Sequence, residues 1–109
     1  MKTYLEAKAE TKGMNRYQIE IYLHRNFGSS IGWLANVINV HSRKPMAKIQ
    51  MLLALAADNR VAPASFTMDY VLVDSTAVQL STLENAVEWV RDEQGNKVLQ
   101  PAEEIMPIS

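Results

Sequence analysis

Between Leu34 and Val61 the chain reads LANVINVHSRKPMAKIQMLLALAADNRV, an apolar helical pattern, a knot of basic residues closed by a proline, and a second, greasier helix. Pro45 is the tightest constraint in this stretch. It has no N–H, and a helix tolerates it in the first turn, where those donors are unpaired anyway. A helix therefore opens here, with positive charge at its start and apolar residues behind. Ser42 stands where an N-cap would, and from Met46 to about Asp58 the run is nearly all good helix formers. Upstream, Ser29 or Ser30 offers a cap for a helix over Ile31–Ile38. Asn39, one of the few non-glycine residues that accept a left-handed conformation, is the expected corner between the two helices.

The flanks are read in the same way. Residues 2–12 are rich in Ala, Glu and Lys and predict a helical arm with a thin apolar stripe. Over 15–27, Tyr17, Ile19, Ile21 and Leu23 alternate as in a strand, while Ile19, Tyr22, Leu23 and Phe27 share a helical face. Asn15 as a cap and Gly28 as a stop favour the helix. The competing strand would pair with Phe66–Val73 in a mixed sheet. After Asn59 the chain predicts a short extended piece, a Pro-containing turn, a strand over Phe66–Val73 and a further strand in TAVQL. Ser81-Thr82-Leu83-Glu84 matches a capping box, and Leu83, Ala86, Val87 and Val90 fall on one face of a helix it would open. KVLQ suggests a last short strand, and PAEEIMPIS a loose tail.

Charge divides the chain of 109 residues more sharply than its net value of −1 suggests. Residues 1–60 carry nine Lys/Arg against four acids, and residues 61–109 carry two against eight. A basic front half points to a polyanionic partner, and an acidic rear half to different work. There is no cysteine, which removes disulfides, thiolate nucleophiles and cysteine zinc sites. The two histidines, His24 and His41, have no carboxylates at ligand spacing, so no metal site is expected. Gly-rich phosphate loops and Gly-x-Ser-x-Gly or His-Glu-x-x-His motifs are missing, so neither an enzyme nor a cofactor is expected. With no membrane-length apolar run and no secretory signal at the N-terminus, the expected location is the cytoplasm.

The order of helices, corner and hairpin resembles small winged helix-turn-helix DNA-binding regulators of bacterial or phage type. The likeness is carried by Ala35 as the small residue of the first helix, Leu34, Ile38 and Val40 as locking apolar positions, Asn39 as the turn, and Ser42 opening the second helix. Ile49 and Leu52 would face the core. Pro45 departs from the β-branched residue usual near its site, and Lys48 stands where some versions bury an aliphatic side chain. The resemblance implies an α+β fold, a winged domain over 14–75 behind an N-terminal arm over 1–13. An acidic strand–helix extension over 76–100 and a tail over 101–109 would complete it. It also implies a homodimer on duplex DNA, with His41, Ser42, Arg43, Lys44, Lys48 and Gln50 as contacts, Arg43 reaching guanine and the lysines phosphates.

Met51 and Leu55, one turn apart, and Trp89, beside the Leu83 stripe, are the expected interface residues. Trp33 reads as a core or domain-edge anchor. The pI near 6.1 keeps open a different reading, a protein–protein module such as an inhibitor or antitoxin-like partner that binds no DNA.

Overall fold

The computed structural model describes residues 2–63, 70–85, 87–95 and 97–101. Among these, four helices come first: α1 (Tyr4–Glu10), α2 (Arg16–Phe27), α3 (Ser29–His41) and α4 (Pro45–Ala57). Strands β1 (Val61–Pro63), β2 (Tyr70–Val73) and β3 (Thr76–Gln79) form an antiparallel sheet in that order. A 3-10 segment over Leu80–Asn85 leads to a separate hairpin of β4 (Val87–Arg91) and β5 (Lys97–Pro101). The architecture is α+β. None of these helices is long and apolar enough to cross a membrane.

Local chemistry sets the helix ends. Asn15 opens α2 through a complete capping box: its Oδ1 accepts from the Tyr17 and Gln18 N–H groups at 3.0 and 2.9 Å, and the Asn15 N–H donates to Gln18 Oε1 at 2.8 Å. Residues 15–27 are therefore helix, and the alternating strand reading gives way to these boundary signals. Gly28, at φ 103°, ends α2 and starts α3 without an intervening loop, a backbone conformation open to glycine alone at little cost. α4 ends in a Schellman pattern, with Asn59 at φ 56°, its N–H on the Ala56 carbonyl at 3.0 Å and the Arg60 N–H on that of Leu55 at 2.8 Å.

The corner between α3 and α4 is not at Asn39. α3 runs on through Asn39 to His41, and the Asn39 side chain is buried, donating to Glu20 Oε1 at 2.8 Å and the Arg16 carbonyl at 3.2 Å. Those bonds hold α3 to the start of α2. Ser42 caps the end of α3 instead of opening α4, its N–H reaching the Ile38 carbonyl at 3.0 Å. Proline explains the displacement. Pro45 is the first residue of α4, and its ring excludes the α conformation from Lys44, which sits at φ −123° and ψ 65°. The break must come just before the proline wherever an asparagine stands.

α4 is the centre of the molecule. Ile49, Leu52, Leu53 and Leu55 are fully enclosed, and the helix packs on α1, α2, α3, β1 and the 3-10 segment. Behind its first two turns the helix is buried all round and has no solvent face to give. Met51 and Leu55, expected at an interface, are core residues. Lys48, expected at phosphates, is 4% exposed, in keeping with its place where the resembled motif buries an aliphatic side chain. Ala35 is buried as expected, but the site that cannot hold a side chain is Gly32: a Cβ there would lie 2.6 Å from the Cβ of His24 in α2. Trp33, expected as an anchor, is 40% exposed.

The sheet closes one side of this core with Val71, Val73 and Val78 inward. Val61 faces Val73 and Val71 faces Val78 across the ladder. The β2–β3 turn is a two-residue one, Asp74-Ser75, both at positive φ as a type I′ hairpin needs. Asp74 is also tied to the end of α4, since Arg60 donates to its carboxylate through Nη2 at 2.6 Å and Nε at 3.0 Å. The expected helix beginning at Ser81 does not form. Leu80 and Leu83 anchor the 3-10 segment in the core, and residues 87–91 pair with 97–101, Val90 opposite Val98. Val87, Trp89 and Val90 are strand-favouring types with a turn-forming Gly95 four residues beyond Arg91, and that local preference overrides the helical spacing. Part of the expected strand, Phe66–Asp69, and the 102–109 tail lie outside the described residues.

Candidate nucleic-acid interface

Pro45 sets the break at Ser42–Lys44, which leaves Ser42 half-buried and turns the two residues before the proline toward solvent. Arg43 and Lys44 are exposed, as is His41 on the last turn of α3. Lys44 occupies the N-cap of α4 without a side-chain cap bond, so the first N–H groups of α4 receive no side-chain acceptor from it. Positive side chains are ordinarily disfavoured at this end of a helix dipole. Their gathering here is a local electrostatic cost with no structural return in ion pairs among the described contacts of Arg43 and Lys44.

A cavity of about 710 Å³ opens on one side of this corner. The corner and α3 supply Val37, His41, Ser42 and Arg43, and α4 supplies Lys48. The opposite wall is the end of the sheet: Tyr70 and Gln79, which face each other across β2 and β3, with Leu80 and Ser81 just beyond. On the other side of the same two turns of α4 lies a groove of about 610 Å³ lined by Met46 and Gln50 and, from α1 and the turn after it, by Leu5, Lys8, Lys12 and Met14. Lys8 Nζ sits 6.0 Å from the centre of the Tyr4 ring.

No carboxylate is found among the described residues that line either space. The acids of the front half are engaged elsewhere. Glu10 accepts from Lys2 Nζ at 2.6 Å and from the Tyr22 hydroxyl at 2.6 Å. Lys2 first, then Tyr22, hold the Glu10 carboxyl below its usual range, while burial and this carboxylate push the Tyr22 hydroxyl up to about 12. Glu20 accepts from Asn36 and Asn39. Glu6 accepts from the Thr3 hydroxyl. Asp58 follows the far end of α4, about 20 Å from Pro45 at the usual helical rise.

Four of the six residues expected to touch DNA (His41, Ser42, Arg43 and Lys48) therefore line one cavity, with Lys48 on its inner wall. Gln50 lines the other groove, and Lys44 stands exposed between them. Of the expected interface residues, Met51 and Leu55 belong to the core. Trp89 lies in β4, and its side chain is outside the described residues. Sequence reasoning passed over Lys8, Lys12, Tyr70, Gln79 and Ser81. Lys8 and Lys12 are four apart, a spacing that puts two residues on one side of a helix and its continuation. Tyr70, Gln79 and Ser81 carry no such signal, because only the strand pairing brings them to the corner. No group of His, Cys, Asp and Glu among the described residues is arranged to hold a metal ion. The chain matches no protein-family model, no curated protein and no solved structure.

Proposed function

We propose that the chain is a DNA-binding transcriptional regulator of the winged-helix type, acting as a homodimer on duplex DNA. The observation that carries this reading is the field around the first two turns of α4: cations on both flanks, Lys8 and Lys12 on one and Arg43 and Lys44 on the other, with no acid among the described residues that line either concavity. On this reading the three-stranded sheet that follows α4 serves as the wing. The manner of contact differs from a helix laid along a groove. With the rear of α4 enclosed, only its first turns, through Arg43, Lys44 and Gln50, reach base edges or phosphates. The lysines of α1 extend the footprint along the backbone.

The test is binding of a labelled duplex followed by fluorescence anisotropy across a salt series. Replacing Lys8, Lys12 and Lys44 together by Ala removes three phosphate contacts, and each contributes roughly 0.9 to the slope of log affinity against log salt. A slope shallower by about 2.7 is expected on that basis. An unchanged slope and affinity defeat the proposal.

A second reading, an interaction module that holds another protein, is favoured by one feature. Tyr17 and Ile21 on α2 and Trp33 and Val40 on α3 are all exposed. Helical geometry sets them on the same outer side of the α2–α3 pair, beside the Glu20–Asn36 and Glu20–Asn39 bonds that join it. An apolar patch of this kind marks a protein contact more often than a nucleic-acid one. Replacing Trp33 and Ile21 by Ser while retaining full duplex affinity as an unaltered dimer would separate the two roles.

A further inference from the structure

We infer that the outer face of the α2–α3 pair seats a second copy of this chain, packed about a twofold axis that runs along the helices. This rests on the duplex-binding reading and deepens it, because it names the surface that makes the dimer. Tyr17 and Ile21 on α2 are each 52% exposed, and Trp33 and Val40 on α3 are 40% and 62% exposed. Single exposed apolar residues are ordinary, but a group of them on one face of a helix pair marks a contact. The two helices run antiparallel. Asn39 bonds to the Arg16 carbonyl at one end, Asn36 to Glu20 in the middle, and Gly32 meets His24 further along. Tyr17 is therefore level with Val40, and Trp33 stands toward the far end.

An axis along the helices preserves those levels and sets α2 of each copy against α3 of the other. Tyr17 then faces Val40 of the second copy, and Ile21 and Trp33 fill the space behind them, in a contact made twice. Every neighbouring helix pair is antiparallel, as in an up-and-down four-helix bundle. Charge selects this arrangement. α3 holds no Asp, Glu, Lys or Arg, so it opposes no charge of α2. An axis across the helices would instead lay α2 on its own copy and bring Arg16 against Arg25. The axis along the helices also leaves both open α3–α4 corners on one edge of the dimer, since each follows the Val40 end of α3. α4 packs on the inner side of each pair, so the two α4 helices lie three interhelical steps apart, roughly 24–30 Å. Arg43 and Lys44, exposed beyond them, reach toward the half-site spacing of about 34 Å. The face is about 18 Å long at the helical rise and roughly 20 Å wide. That is small for a stable interface, so the free dimer is expected in the micromolar range, tightened by a duplex that holds both copies.

Sedimentation equilibrium of the full chain, from low micromolar to near-millimolar concentration, tests the inference, and a reversible monomer–dimer equilibrium is expected. Ile21→Ser with Trp33→Ser, at two exposed positions, should raise the dimer dissociation constant by about tenfold or more, with a urea midpoint to show that the fold persists. A second arm reads the arrangement without those positions. The chain has no cysteine, so Tyr17→Cys and Val40→Cys each carry one thiol. Mixed and treated with a short bismaleimide, the two variants should give several times more crosslinked dimer than either alone. A chain monomeric throughout the series, a dimer untouched by the serine replacements, or equal crosslinking alone and mixed would each overturn the inference. The Lys8, Lys12 and Lys44 replacements lie outside this face and should leave the dimer as it is. Failure of the duplex reading therefore appears in the salt series, and failure of this one in sedimentation.

Discussion

The chain turns back on itself at two helix corners built on opposite plans. Between α2 and α3, Gly28 alone makes the turn, Gly32 lets the two helices touch, and Asn39 and Asn36 bond across to Glu20. Between α3 and α4, three residues carry the turn, no side chain caps the helix it opens, and the space beside it is a cavity lined by polar and basic groups. The first corner is closed by geometry and hydrogen bonds. The second is left open to whatever its cations attract. Stability should therefore be concentrated at one corner and binding at the other, and substitutions at each can break that division.

The largest effect is expected at the closed corner. Gly32→Ala would put a Cβ 2.6 Å from His24 Cβ and 3.0 Å from His24 Cα, atoms that no side-chain rotation can move away. Overpacking of that kind costs about 3 kcal/mol, the upper part of the usual range, and a urea midpoint measures it. A midpoint equal to that of the parent would mean the helices separate freely, and that the corner is not closed.

Asn39→Ala comes next. It strips Glu20 and the Arg16 carbonyl of a buried donor, and loss of a bond to a charged partner costs about 2 kcal/mol. Asn39 Oδ1 has no hydrogen-bond partner among the described residues, so the cost comes from the amide nitrogen's side alone. Asn39→Asp, which keeps the shape but replaces the donor by a second acid facing Glu20, should be worse than Ala at neutral pH. If Asp proves milder than Ala, the amide is not donating to Glu20.

These two residues also show what the sequence made legible. The α2 boundaries were readable because Asn15 and Gly28 act locally, through a cap and a backbone angle. The break before α4 was readable in Pro45, but the more flexible signal of Asn39 drew the expected corner three residues too early. An asparagine is permitted in a turn, whereas the residue before a proline is sterically disfavoured from the α conformation, and the stronger bias wins. Leu83, Ala86, Val87 and Val90 matched a helix by spacing, yet Leu83 lies in the 3-10 segment and the backbone of Val87 and Val90 pairs with 97–101 as a strand. Half of the cavity escaped notice for a related reason. Tyr70 and Gln79 reach the corner only through the β2–β3 register, a long-range fact that no local pattern encodes.

A smaller effect is expected at the junction that holds the sheet to α4. The Arg60 guanidinium keeps the Asp74 carboxyl below its ordinary range. A lowered value means stabilisation present above the unfolded carboxylate range, near about 4, and lost as pH falls through the folded value. Asp74→Asn should cost about 1 kcal/mol at neutral pH, the scale of a well-aligned but partly exposed pair. The gap between variant and parent midpoints should narrow as pH falls below the unfolded carboxylate range and the parent carboxyl takes up its proton. A gap that persists in acid would assign the loss to the hairpin turn instead of the ion pair.

The smallest effect on stability, and the one that most sharpens the contrast, belongs to the open corner. Arg43→Ala with Lys44→Ala removes two exposed cations from a helix start where positive charge is disfavoured. The midpoint should stay within about 0.5 kcal/mol of the parent, or rise slightly. Duplex affinity should fall together with its salt dependence, because two phosphate contacts go with the charges. The two readouts must part company for the corners to differ in kind. Should the double replacement destabilise the fold as much as Asn39→Ala does, the cations are structural and the open corner is another closed one. Should it leave both stability and duplex affinity alone, their position at the head of α4 would be a tolerated cost with no binding to offset it.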